Sequence, residues 1–150
     1  MKKVCVTKQI EFDAGHRLPN HASKCKNLHG HRYQIDITIE GEINDIEGHT
    51  EQGMVVDFSV IKQVAEETIL KPWDHAFFVY KNDSAVLDFL NTMSDHKTII
   101  TDLPPTAEYL AQLAFDNISL SFKQHSGDRV KLKSLKLYET PTSWAEVNPS

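Results

Sequence analysis

The chain has 150 residues, 40% of them hydrophobic and 25% charged, which suits one soluble globular domain spanning 1–150 with enough apolar material for a core. Its formal net charge of −5 argues against a nucleic-acid or anionic-membrane binder. No apolar run approaches the roughly 20 residues of a membrane span, and Met1-Lys2-Lys3-Val4 leads into no long apolar segment, so neither a signal peptide nor a membrane partner is expected and the location is read as cytoplasmic.

Residues 4–16 read as a strand, with Ile10, Phe12, Ala14 and His16 on one face by alternation. A loop from Arg17 to Leu28 follows, marked by Pro19, Asn20, Ser23 and Asn27. A second strand runs from about His29 to Gly41 and carries His29, His31, Tyr33, Ile35, Ile37 and Ile39 on one face. If the two strands pair antiparallel, the end of the first lies beside the start of the second, and His16, His29 and His31 converge.

After a polar connection, Met54 to Phe58 reads as a short strand and a helix begins near Ser59, with Phe58, Ile61, Val64, Ala65 and Ile69 at helical spacing and Pro72 as its stop. Asp74-His75 comes just past that end. Ser84 caps a short helix through Val86, Leu87 and Leu90, and Thr98 to Thr101 reads as a further strand. Pro104-Pro105-Thr106 opens another helix with Thr106 as N-cap, broken at Gly127. In the last strand, Arg129 to Thr140, the alternation slips near Lys133-Ser134, as a bulge would make it. Glu139 falls in phase with Leu135 and Leu137 and so points to the apolar side, where a carboxylate needs a partner such as a ligand. The order of elements gives an α+β domain, for which an antiparallel sheet with helices packed on one face is the natural architecture.

Three histidines around one open position make a catalytic zinc shell, and zinc is the metal expected here. Cys25, four residues before His29, reads equally well as a fourth ligand closing a structural site or as a base or nucleophile beside the metal. A disulfide between Cys5 and Cys25 is not expected in a reducing compartment. Asp74-His75 suits a carboxylate orienting an imidazole, although adjacency alone favours an ordinary surface pair. Thr106 and Glu108 are explained by capping and by the helix dipole.

Taken together, Phe12-Asp13-Ala14-Gly15-His16-Arg17-Leu18-Pro19, Cys25-Lys26-Asn27-Leu28-His29-Gly30-His31, Gly53-Met54-Val55-Val56-Asp57-Phe58, Asp74-His75, Pro105-Thr106-Ala107-Glu108 and Tyr138-Glu139-Thr140 resemble the 6-pyruvoyltetrahydropterin synthase superfamily. The likeness is greatest to its bacterial 6-carboxy-5,6,7,8-tetrahydropterin synthase branch, of queuosine and 7-deazapurine biosynthesis. The resemblance implies the tunnelling fold, a four-stranded antiparallel sheet with two long helices on one face, and a homo-oligomer, a hexamer built as a dimer of trimers, with active sites between subunits. It implies Zn2+ held by His16, His29 and His31, Cys25 as the proton-abstracting thiolate, Asp74 and His75 as a proton-relaying dyad, Glu139 as the pterin anchor, and Thr106 and Glu108 lining the pterin pocket.

The implied lyase substrate is a small-molecule pterin triphosphate, 7,8-dihydroneopterin triphosphate, converted to 6-carboxytetrahydropterin, acetaldehyde and triphosphate. Arg17, Lys24 and Lys26 are the candidate triphosphate contacts. The alternatives are the pyruvoyl-forming relative and, in another class, a non-catalytic pterin-binding or structural zinc module. Two departures from the family pattern stand out: an insertion around 81–101, and Trp73 where an aliphatic residue is usual, expected either to pack in the core or to narrow the pocket.

Overall fold

A computed structural model describes residues 2–149. Strands β1 (Lys3–His16) and β2 (His29–Glu42) pair antiparallel along their whole length, with Ala14 opposite His31 and His16 opposite His29. Ile10, Phe12 and Ala14 from β1 and Tyr33, Ile35, Ile37 and Ile39 from β2 are buried on one face, which is the alternation read from the sequence.

The sheet is wider than expected. It has six strands in the order β4-β3-β1-β2-β5-β6, not four. β5 (Val130–Thr140) pairs antiparallel with β2, and β6 (Ser143–Val147) pairs antiparallel with β5. Beyond β1, β3 (Ala76–Tyr80) and β4 (Thr98–Thr101) are both added in parallel, so the sheet is mixed. β3 escaped the periodicity argument because it is covered on both sides. Phe78 enters the main core, while Val79 packs with Val86 and Leu90 in a second cluster, so the segment reads as an unbroken apolar run. β6 carries exposed Ser143 and Trp144 and has little apolar signal. The expected bulge is present: Thr38 pairs with Ser134 and Ile39 with Leu132, leaving Lys133 as the extra residue and keeping Leu135 and Leu137 inward.

Met54 to Phe58 is not a strand. The backbone of this stretch bonds into the preceding loop, Met54 N–H to Glu51 O and Asn44 N–H to Met54 O, although Val55 and Val56 are buried. Asp57 then caps helix α1, accepting from Ser59 N–H at 2.8 Å. Phe58 is the first helical residue and is exposed, not on the buried face.

Pro72 does not stop the helix. α1 (Phe58–Ala65) passes into a π-helical turn, Glu66–Leu70, and closes with Lys71–Trp73. Lys71 N–H reaches back to Glu66 O, and the Thr68 hydroxyl donates to Val64 O at 2.8 Å, so the wider turn absorbs the ladder defect. The continuation buries Trp73 against Phe12 and Phe78, with ring centroids 6.0 and 5.1 Å away, so Trp73 is a core residue.

Helix α2 (Ser84–Leu90) is short, and Asp83, not Ser84, stands at its N-cap. Helix α3 (Ala107–Ser126) starts at Thr106, whose hydroxyl accepts from Tyr109 N–H, and ends at Gly127 with φ of 61°. Ile61, Val64 and Ile69 of the first helix and Leu110, Ala114, Ile118 and Phe122 of α3 join the inward faces of β1, β2 and β5 in one core. Both long helices therefore lie on the same side of the sheet. The opposite side is polar, with Glu11, Asp13 and Arg32 in an ion-pair cluster and Glu40 ringed by Lys3, Lys131 and Lys133. Among the described residues no helix is long and apolar enough to cross a membrane.

Candidate metal centre

Three imidazoles meet where β1 ends and β2 begins, on the helix-covered face. One ring nitrogen from each of His16, His29 and His31 lies within 4.8 Å of the others. The register of the β1–β2 pair is what brings them together, since it sets His16 directly across from His29.

Backbone carbonyls fix two of the tautomers. His16 Nδ1 is 2.7 Å from Pro105 O, and His29 Nδ1 is 2.7 Å from Asn27 O. A carbonyl only accepts, so each Nδ1 carries a hydrogen, and in the neutral ring the lone pair is then on Nε2. The two Nε2 atoms face one another at 3.1 Å. The third ring completes the pattern: His31 Nε2 is buried with no hydrogen-bond partner. Glu139 Oε1 lies 3.1 Å from it, close enough for an ion pair but not aligned for a hydrogen bond.

Burial holds His16 and His31 below the ordinary imidazole range, although the neighbouring Glu139 carboxylate pulls both the other way. Converging Nε2 atoms, with the second nitrogens of His16 and His29 tied to backbone carbonyls, are the chemistry of a metal-binding histidine set. The residues fit a metal.

Glu139 reaches this cluster from β5, as its phase required, and its neighbour Tyr138 turns away to stack on Trp144. Beneath the imidazoles lies Tyr33, fully buried and stacked on Phe12 at 5.3 Å, its hydroxyl unpartnered. Burial first, and then Glu139, pushes this phenol far above its usual range. Alternation placed Tyr33 on this face but carried no sign of an orphaned hydroxyl.

Cys25 sits in a 3-10 turn, Lys24–Lys26, between the two strands. It is a half-buried free thiol whose carbonyl accepts from Leu18 N–H at 2.8 Å. Its sulfur is not among the converging ligand atoms. Thr106 adjoins Pro105, the carbonyl partner of His16, and Glu108 is exposed in the first turn of α3. Lys24 and Lys26 are exposed, whereas Arg17 is engaged: its guanidinium grips the buried Asp83 carboxylate with two nitrogens.

Asp74 and His75 are a built pair. Asp74 Oδ1 accepts from Asp13 N–H at 3.1 Å and stands 3.1 Å from His75 Nδ1. His75 N–H donates to Asp13 O at 2.6 Å, and its φ of 63° puts a non-glycine residue in the left-handed region. Partial desolvation raises the Asp74 pKa, but the Asp13 amide, His75 and Lys97 outweigh it and hold the carboxyl below its usual range. The pair flanks Asp13, and Asp13 points to the sheet face opposite the imidazoles. An open cleft of about 440 Å³ lies there, lined by Asp13, Gly15, Gly30, Arg32 and His75 and touched by His31. Within one chain the dyad and the histidine cluster are therefore on opposite sides of the sheet.

A sequence-family model described as 6-pyruvoyl tetrahydropterin synthase matches residues 5–150. A Rickettsia felis protein named 6-carboxy-5,6,7,8-tetrahydropterin synthase is 37% identical over 141 residues, covering 94% of this chain and 97% of its own. A Haemophilus influenzae protein of the same name is 33% identical, covering 94% and 96%. Among solved structures, an uncharacterized protein from Wolinella succinogenes superposes with a TM-score of 0.79 at 21% identity over the full length of both chains. The Caenorhabditis elegans 6-pyruvoyl tetrahydropterin synthase superposes with a TM-score of 0.69 at 23% identity, covering 100% of this chain and 98% of that one.

Proposed function

Because the chain belongs to the 6-pyruvoyl tetrahydropterin synthase family, we propose that it is a zinc-dependent 6-carboxy-5,6,7,8-tetrahydropterin synthase. It takes 7,8-dihydroneopterin triphosphate and one water to 6-carboxytetrahydropterin, acetaldehyde and triphosphate, a step of queuosine and 7-deazapurine biosynthesis in the cytoplasm. The observation that carries the metal half of this reading is the apposed pair of Nε2 atoms on His16 and His29, with the orphaned His31 Nε2 beside them.

His16, His29 and His31 hold the zinc. A zinc ion there supplies Lewis-acid chemistry, acidifying C–H and O–H bonds of a side chain whose oxygens it binds. Cys25 takes the proton from substrate carbon, a role supported by a half-buried sulfur that stands outside the ligand set. Glu139, across from His31, accepts from the pterin ring N–H and amino groups, and Thr106 and Glu108 line the same pocket. Lys24 and Lys26 meet the triphosphate, without Arg17, which Asp83 already holds.

Asp74 and His75 relay protons at the other face of the substrate side chain. Their place across the sheet from the imidazoles supports sites shared between subunits, in which the dyad of one copy serves the metal of another, within a homohexamer.

The pyruvoyl-forming reaction uses the same substrate and metal, and the product tells the two apart: acetaldehyde is released only by the carboxy-forming enzyme. A structural zinc module would need Cys25 to close the shell, and the position of its sulfur argues against that. The test is turnover of the zinc-loaded protein with dihydroneopterin triphosphate, read by acetaldehyde release.

A further inference from the structure

The segment 81–101, an insertion by its sequence, makes two polar contacts with the flanks of the site. The first is the Asp83–Arg17 pair. The Asp83 side chain is 3% exposed, and Arg17 meets both of its oxygens, Nε at 2.6 Å from Oδ2 and Nη2 on Oδ1. Asp83 is itself rigid: its N–H donates to Tyr80 O, and its carbonyl accepts from Leu87 N–H at the start of α2. A two-point grip from a fixed, buried carboxylate leaves the guanidinium one orientation.

Arg17 follows the ligand His16 directly. The next residue, Leu18, donates its N–H to Cys25 O. Fixing Arg17 therefore fixes both ends of the loop that separates an imidazole ligand from the thiol. The second contact lies at the other end of the segment, where Lys97 Nζ donates to Asp74 O at 2.6 Å, next to the strained His75.

We propose that Asp83 is a positioning residue: through Arg17 it sets the placement of His16 and Cys25 relative to one another, and Lys97 does the same for the Asp74–His75 turn. The segment 81–101 is thus a brace for the site, and Arg17 serves as its anchor, not as an anion receptor. The inference rests on the metal reading above but not on the identity of the substrate.

Removing one partner of a buried ion pair leaves an uncompensated charge and costs stability, whereas removing both with apolar residues is often neutral. That asymmetry separates positioning from stability. In a Cys5→Ser background, which leaves Cys25 as the only thiol, three proteins are compared: parent, Asp83→Asn, and the double variant Arg17→Met with Asp83→Leu. Each is measured for melting temperature, for zinc affinity by competition with a chromogenic chelator, and for the rate of Cys25 alkylation by iodoacetamide.

The expected result is that the double variant recovers the parent melting temperature while its zinc affinity stays weakened by about tenfold, the scale seen when an orienting partner of a metal ligand is lost. Cys25 alkylation is expected to rise several-fold in both variants, and Asp83→Glu, which keeps the carboxylate, should recover part of both losses. Parent-like zinc affinity and thiol reactivity in a folded double variant would overturn the proposal, whatever the protein does with a pterin. If Asp83→Asn does not fold, the double variant and Asp83→Glu carry the comparison; Lys97→Met should shift the NMR resonances of the His75 ring, and unshifted resonances would overturn the role given to Lys97.

Discussion

His16 Nε2 and His29 Nε2 stand 3.1 Å apart, and in the neutral tautomers that the Nδ1–carbonyl contacts select, both present lone pairs to one another. Two lone pairs so placed repel unless a cation lies between them. Zinc addition should therefore stabilise the protein, by about 2.7 kcal/mol when free metal is a hundredfold above its dissociation constant. Thermal melts with zinc and then with excess chelator measure this directly. In His29→Ala the zinc-induced shift should vanish.

The acid limb of stability should report the same rings. Burial lowers the His16 and His31 pKa values in the folded state, so below the free-imidazole value of about 6.5 the unfolded chain binds protons that the native chain refuses. For these two groups stability rises with pH where the unfolded state carries more protons, and is flat once both states are neutral. Urea midpoints of the metal-free protein should hold steady from about pH 8 to about pH 6.5 and then decline toward about pH 5. His31→Gln should flatten the decline.

Glu139 approaches His31 without a proper hydrogen bond and is free to serve a ligand. Glu139→Gln should keep zinc yet weaken neopterin binding by roughly tenfold or more, the worth of a hydrogen bond to a charged group. Fluorescence titration with neopterin, run beside a zinc assay, separates the two properties. Loss of zinc in this variant would make Glu139 part of the metal shell.

Gly15 is the one residue between the outer cleft and His16 that has no room for a side chain. A Cβ there would meet the Phe77 ring at 2.6 Å and the His29 carbonyl at 3.3 Å, so the ring has to shift and the end of β1 is pressed away from its neighbours. Gly15→Ala should cost about 1–3 kcal/mol, as overpacking does. Trp73→Ala, which empties a core position against Phe12 and Phe78, should cost about 3–5 kcal/mol. Chemical denaturation measures both, and only Gly15→Ala should also lower zinc affinity, since it displaces the end of β1.

The histidine cluster was legible because strand alternation and antiparallel pairing place His16, His29 and His31 by geometry alone, and because the slip at Lys133 kept Glu139 in phase. What stayed hidden had no periodic signature. β3 is buried on both faces and so does not alternate, and β6 is too exposed to stand out. Pro72 looked like a stop because a sequence does not announce a π turn that absorbs the defect. Val55 and Val56 looked like a strand because burial without a ladder leaves the same apolar pattern. Arg17 looked like an anion receptor because Asp83, 66 residues away, gave no sign that it was the partner.

The central claim is the reaction, and acetaldehyde is its most direct witness. Zinc-loaded protein and Cys25→Ala, each incubated with 7,8-dihydroneopterin triphosphate, are assayed for acetaldehyde and triphosphate. The parent protein should release the two products in equal amounts, and Cys25→Ala neither, even though that variant still holds zinc. A pyruvoyl product without acetaldehyde, or no turnover by protein with a full complement of zinc, would contradict that claim.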